Sequence, residues 1–310
     1  MGKVVLSSVF LVSVTPIAMY LGPPQIDFND LRRTNYGFHE TCQSSTHFVA
    51  SPLCKSDGIP NLMVWGDSFA MHLVAGLETE WRRGGVIQAT KGQCGPFLGL
   101  APRQIVMPGR ANDFIDQTWA EGCIGFNQSV LDFLKRTPSV EIVVLSSPLA
   151  QYLTLENYEH VIQRGEGYSS VPVTTDRALS ALRRTVQEIR MLGKKVILFA
   201  PPPSSNFNIG GCLERQLSGA VAFGGRHECK INYAEYISAR AAVLEFLKSF
   251  ELETQTGVIS FDPWLCDLIS CKTILDGTML YRDSGHLSYS GSKVLARKMD
   301  WANLVSDSAK

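Results

Sequence analysis

The chain has 310 residues, enough for one large domain or two small ones with a real hydrophobic core. Hydrophobic residues make up 45% and charged ones 19%, a balance that excludes wholesale disorder. Lys plus Arg and Asp plus Glu stand at 29 each, and no basic stripe with interleaved aromatics breaks that neutrality, so nucleic acid is set aside as a partner.

The first element is an uncharged, almost wholly apolar run from Val4 to Leu21, preceded by Lys3. It reads as an uncleaved transmembrane anchor over residues 1–22, with a cleaved export signal as the alternative. Leu21-Gly22-Pro23-Pro24 is a poor cleavage site, and lipid-embedded helices tolerate an internal proline such as Pro16. Lys3 places the remainder outside the cytoplasm. Residues 23–59, rich in Pro, Asn, Ser and Thr, read as a linker and a disulfide-closed loop ahead of a domain spanning 60–310.

That domain alternates strand and helix. Asn61 to Trp65 is a buried strand stopped by Gly66, and residues 69–82 carry Phe69, Leu73, Val74 and Leu77 at helical spacing. Val86 to Thr90 is a second strand, 116–136 a helix, and Val140 to Leu145 a third strand. A helix over 175–192, a strand over 195–199 and a long cysteine-tied loop over 204–231 follow. A helix over 232–250, a fifth strand over 258–261 and a closing helix over 290–303 complete the pattern. Continuous apolar strands alternating with helices specify an α/β fold with a parallel sheet covered on both faces. The active crevice of such a sheet lies at the carboxyl ends of its strands.

Eight cysteines, none in a CxxC pair, argue against tetrahedral zinc and, behind an export segment, for disulfides. Proximity pairs Cys42 with Cys54, Cys94 with Cys123, Cys212 with Cys229 and Cys266 with Cys271, one of about 105 possible pairings. No cofactor and no metal is implied.

Two short stretches carry chemistry. In Trp65-Gly66-Asp67-Ser68 the serine falls just past a buried strand, at the start of a helix whose free N–H groups can stabilise an oxyanion. The bland alternative is an ordinary Asp-Ser helix cap. In Asp283-Ser284-Gly285-His286 the carboxylate can accept the Nδ1–H bond and leave Nε2 pointing at a serine. A serine needs such a base to attack. Both stretches fall at the same edge of the expected sheet, which makes Ser68 the candidate nucleophile, His286 its base and Asp283 the group that orients the base. His72, one helical turn after Ser68, reads as a packed helix residue, and His39, His47, His160 and His227 as solvated. Asp113 and Asp262 could line a pocket, and Tyr152, Tyr158 and Tyr168 flank an insertion that could touch glycan.

Trp65-Gly66-Asp67-Ser68 and the run from Asp283 to Gly291 resemble the first and last blocks of SGNH (GDSL-like) hydrolases. The resemblance is closest to the SGNH domains fused behind membrane acyltransferase-three domains in bacterial surface-polysaccharide O-acetyltransferases, and covers about residues 40–305. It implies a flavodoxin-like three-layer sandwich, no metal, and acetyl transfer to or from sugar hydroxyls, with glycan or acyl ester as substrate. O-acetyl ester hydrolysis by the same residues, or a non-catalytic glycan-binding role beside a membrane acyltransferase, are the alternatives. The implied place is the inner membrane, single-pass, with the catalytic domain in the periplasm or outside the cell.

Two features depart from the family. There is one apolar segment in place of a multi-helix acyl-supplying domain, so a separate membrane protein is expected to deliver the acyl group. The third-block Asn is also missing after Leu145, where the chain reads Ser146-Ser147-Pro148-Leu149-Ala150-Gln151. The oxyanion hole is therefore assigned to the Ser68 N–H with Gly95, or Gly92, and with Ser146 or Gln151.

Overall fold

The computed structural model describes residues 26–43, 46–105, 115–154, 156–219 and 228–309. The expected anchor, Val4 to Leu21, lies outside these residues, as do Asp113 and His227. Among the described residues no helix is long and apolar enough to cross a membrane.

Chain order gives β1 (Pro60–Gly66), α1 (Ser68–Glu80), β2 (Gly85–Thr90), α2 (Gln117–Arg136), β3 (Ile142–Ser146) and α3 (Thr175–Met191). Then come β4 (Lys195–Phe199), α4 (Ile209–Leu217), α5 (Tyr233–Thr254), β5 (Val258–Ile259), α6 (Tyr289–Met299) and α7 (Trp301–Ser308). The five strands form one parallel sheet in the order β2-β1-β3-β4-β5. The order turns back between β1 and β3, and open α/β sheets bind their ligands at such a switch point.

Alternation along each strand feeds two separate cores. Met63, Trp65, Val143 and Leu145 face Phe126 and Val130 of α2, Leu182 and Val186 of α3, and Phe246 and Phe250 of α5. Leu62, Val64, Ile142 and Val144 face Leu73 and Leu77 of α1, Leu213 of α4, Leu295 of α6 and Trp301 of α7. Each large apolar side chain removed from water contributes roughly 1.5–3 kcal/mol, so two filled faces pin the strand register. The result is a three-layer α/β sandwich.

The helix starts follow ordinary capping chemistry. Asp67, Asp116, Thr174, Asn208, Asn232 and Ser288 each accept a first-turn backbone N–H at the head of α1, α2, α3, α4, α5 and α6. The four disulfides pair as proximity suggested: Cys42–Cys54, Cys94–Cys123, Cys212–Cys229 and Cys266–Cys271.

The segment before residue 60, read as a linker and a disulfide-closed loop, holds the Cys42–Cys54 bond and packs on the domain. Phe28, Leu31 and Phe38 pack against the α1-side core. Gln43 bridges Thr90 and Lys55 bridges Ile87, while the Gln88 amide bonds the Phe38 N–H and the Tyr36 carbonyl. The segment covers the open edge of β2, where unpaired backbone groups would otherwise face solvent.

Three further features are local. Leu100–Gln104, Tyr158–Arg164 and Gly167–Pro172 form an antiparallel arm, the last two strands falling at the insertion flanked by Tyr152, Tyr158 and Tyr168. Helix α4 interrupts the cysteine-tied loop. The closing helix is broken at Asp300, whose backbone adopts the left-handed conformation between α6 and α7.

Candidate active site

Strand β1 delivers the serine through a turn that only glycine permits. Gly66 has φ +154°, and a Cβ there would lie 2.0 Å from the Ser146 carbonyl oxygen. The chain thus crosses close over β3 and enters α1 directly. Ser68 is the first residue of α1, so its N–H is one of the first-turn amides that no helix carbonyl reaches.

Asp67 is wholly buried beneath this turn. One carboxylate oxygen accepts the Phe69 N–H at 2.9 Å and the other accepts the Ser147 hydroxyl at 2.7 Å. Burial pushes its acid up to about 6, although both hydrogen bonds and the His286 charge pull the other way. Asp67 therefore ties the turn that carries Ser68 to the end of β3.

The imidazole arrives on the loop before α6. Asp283 folds this loop by accepting the Gly285 and His286 N–H groups at 3.0 and 2.8 Å. The same carboxylate meets His286 Nδ1 at 2.9 Å. Burial opposes that charge, but the His286 side-chain bond and charge and the two amides outweigh it and hold Asp283 well below the usual carboxylate range. Arg282 adds a contact at 3.3 Å. Ser288 then caps α6 through the Gly291 N–H and donates to the Met279 carbonyl.

These two loops meet. Ser68 Oγ lies 2.9 Å from His286 Nε2. With Nδ1 engaged by Asp283, Nε2 is the nitrogen turned to the hydroxyl, the tautomer in which imidazole accepts a serine proton. Phe69 stacks obliquely on His286, with ring centroids 4.6 Å apart, which limits the imidazole's swing. Ser68 is partly exposed, and the His286 and Asp283 side chains retain 25% and 28% of their accessibility, so a substrate can reach all three.

His72 is buried, as its helical position suggested, and held neutral by burial. Its Nδ1 accepts the Leu287 N–H at 3.3 Å, one residue beyond His286. The sequence reading gave it no such bond, and spacing within one helix cannot reveal a partner more than two hundred residues away.

The expected oxyanion donors are only partly available. The Gly95 N–H already donates to the Tyr152 hydroxyl at 2.8 Å. The Ser146 hydroxyl donates to the Phe199 carbonyl at 3.1 Å, and its backbone stands in the sheet between β1 and β4. Gln151 donates to the Gln93 carbonyl. Gly92 occupies a turn at the end of β2, anchored by the Lys91 N–H on Gly66 O and the Cys94 N–H on Lys91 O.

Other candidates are engaged elsewhere. Tyr152 is fully buried and stacked on Phe97, so it cannot touch glycan. His160, read as solvated, is buried against the Tyr152 carbonyl, and burial pulls its pKa down to about 4. Asp262 accepts the Tyr236 hydroxyl at 2.9 Å. Tyr168 is exposed on the arm. Among the described residues no cluster of His, Cys, Asp and Glu could hold a metal ion.

A serine after the first strand of a 2-1-3-4-5 parallel sheet, facing an Asp–His loop before a late helix, defines a hydrolase-type Ser–His–Asp arrangement. The family model of the SGNH domain found fused to AT3 domains matches residues 41–300, and the chain belongs to that family. Its fold is similar to the periplasmic domain of the lipopolysaccharide acetyltransferase of Salmonella ser. Paratyphi A. The TM-score is 0.56 with 20% identity, over 84% of this chain and 91% of that one. No curated protein sequence gives a significant match.

Proposed function

We propose that this chain is an extracytoplasmic serine-dependent O-acyltransferase that works on the hydroxyl groups of a cell-surface glycan. The observation that carries the reading is the 2.9 Å contact between Ser68 Oγ and His286 Nε2, with Asp283 on the far nitrogen. Ser68 attacks the acyl carbonyl as His286 takes its proton, and an acyl-enzyme forms as the donor's leaving group departs with that proton. A glycan hydroxyl then gives its proton to His286 and attacks the acyl carbon, and His286 passes that proton to Ser68 Oγ as the serine is released. Asp283 stays ionised throughout and holds the imidazole in place.

The Ser68 N–H at the head of α1 supplies one oxyanion donor. Gly92 supplies the second, because its turn directly follows β2 beside Gly66 while the Gly95 amide is spent on Tyr152. The family's fusion to AT3 domains and the fold shared with an acetyltransferase's periplasmic domain favour transfer, acetyl as the acyl group and a polysaccharide acceptor. The N-terminal apolar segment holds the domain at the outer face of the inner membrane, beside a membrane protein that delivers acyl groups.

The test is p-nitrophenyl acetate turnover by the full chain beside Ser68→Ala, with oligosaccharide acceptors followed by mass. The proposal expects turnover only with Ser68 and acceptors that gain one acetyl mass. Free acetate with no acceptor gaining mass would make the chain an esterase. Equal turnover in both chains would abolish the serine-enzyme reading.

A further inference from the structure

Beyond β4 the chain runs Ala200-Pro201-Pro202 into a loop that touches the candidate catalytic loop. The Ser205 N–H donates to the Ser284 carbonyl at 3.0 Å. Ser204 packs so close to Gly285 that a Cβ added there would lie 3.3 Å from the Ser204 Cβ. On its other side this loop borders two cavities along α5, of about 170 and 710 Å³. Tyr236 and Arg240, one helical turn apart, line both.

Arg240 is half-buried in this wall, and among the described residues no carboxylate lies within salt-bridge distance of it. Its Nε and Nη2 both donate to the Ser204 hydroxyl, at 3.0 and 2.8 Å. A guanidinium has five donors, so the rest of the fork is left for a ligand. The nearby acid lies outside that distance: Asp262 accepts the Tyr236 hydroxyl, and no ion pair joins it to Arg240. Glu235 also lines the larger cavity, but it sits on the exposed side of α5, and Lys248 and Glu251 at the smaller cavity offset each other. A half-buried cation without a counter-ion has lost hydration that one serine hydroxyl replaces only in part, and an incoming anion restores the rest.

We infer that the groove between the 200–207 loop and α5 is an acceptor subsite in which Arg240 binds an anionic group, carboxylate or phosphate, of the glycan. The inference rests on the glycan-acceptor reading above and narrows it to acidic glycans. A planar carboxylate or a phosphate matches the guanidinium fork. The bound sugar lies along a wall fastened to Ser284 and Gly285, which carries the acceptor chain toward His286.

The test measures binding by the full chain carrying Ser68→Ala, so it stands or falls independently of the serine chemistry. Three oligosaccharides of matched length serve as probes: an oligogalacturonide, a phosphorylated oligomannose and a neutral malto-oligosaccharide. One or both charged probes should bind about tenfold or more tightly than the neutral one, with a preference that shrinks as salt rises. Which charged probe wins tells carboxylate from phosphate. Arg240→Gln should bring the ratio to about one, and Arg240→Lys should keep part of it. Ser204→Ala breaks the Arg240 brace but leaves the charge, so it should retain the preference. No preference in the parent chain, or one that survives Arg240→Gln, would overturn the subsite. Equal loss in Ser204→Ala and Arg240→Gln would reduce Arg240 to a loop brace.

Discussion

Asp67 shows how much one residue beside Ser68 is asked to hold. Its carboxylate is buried, and its acid is raised from 3.8 to about 6. A buried acid whose folded pKa exceeds its unfolded value favours the native state at low pH. That contribution is lost as pH rises from about 4 through 6. The difference corresponds to about 3 kcal/mol, so ionised Asp67 weighs against the fold at neutral pH. Asp283 has the opposite sign, since its depressed pKa adds stability at neutral pH that is lost as the medium turns acid. Asp67→Asn keeps an oxygen for the Phe69 N–H and an amide that can donate to Ser147. Its stability should be flatter between pH 4 and 7, and about 1–3 kcal/mol higher than the parent's at pH 7. Denaturant titrations at several pH values check this, and an unchanged profile would show that the carboxylate is not desolvated. At this scale the sequence was partly legible. Ser68, Asp283 and His286 stand in short motifs whose types and spacing single them out, and the fold brings the three side chains together. The partners of Gly95, Ser146, Tyr152 and His160 were not legible, because each bond joins segments whose meeting depends on the whole fold.

The central elements were legible because each obeys one dominant local rule. Strands β1, β3 and β4 are apolar runs, and α3 has both a clear 3.6-residue period and a Thr174 cap. The antiparallel arm was not, because its outer strand, Gly167–Pro172, is largely exposed and carries no buried alternation. The arm's own turn, Gly165-Glu166, was the available signal, with Gly165 at φ +57°. The closing helix has no Gly or Pro near Asp300 to mark its break there. The disulfides bind loops to this frame. Cys94–Cys123 spans 29 residues and joins the turn after β2 to α2, inside the core. Replacing both by Ala should lower unfolding free energy by about 3–4 kcal/mol, read from denaturant titrations that fit midpoint and slope together. A loss under about 1 kcal/mol would mean that packing alone holds that turn.

For the whole molecule, the N-terminal segment is part of the domain that carries the site. The Asn35 amide donates to the Leu287 carbonyl, beside His286, and the Arg33 guanidinium lies 3.9 Å from the centre of the Tyr289 ring. Composition concealed this, because a polar segment with scattered Phe28, Leu31 and Phe38 has no period to read. A chain starting at Ile26 should therefore melt higher than one starting at Glu40, by about 5 °C or more. Equal melting temperatures would return the segment to the status of a linker. At the same scale, the parallel sheet brings together two loops more than two hundred residues apart, and the chemistry depends on that meeting. The most direct measurement is the mass of the Ser68-containing peptide after the full chain is quenched during turnover of an activated acetyl ester. The account predicts one acetyl group on Ser68, removed when an acceptor is added and absent from Ser68→Ala. Turnover with the peptide unmodified, or acetyl carried on another side chain, would contradict it.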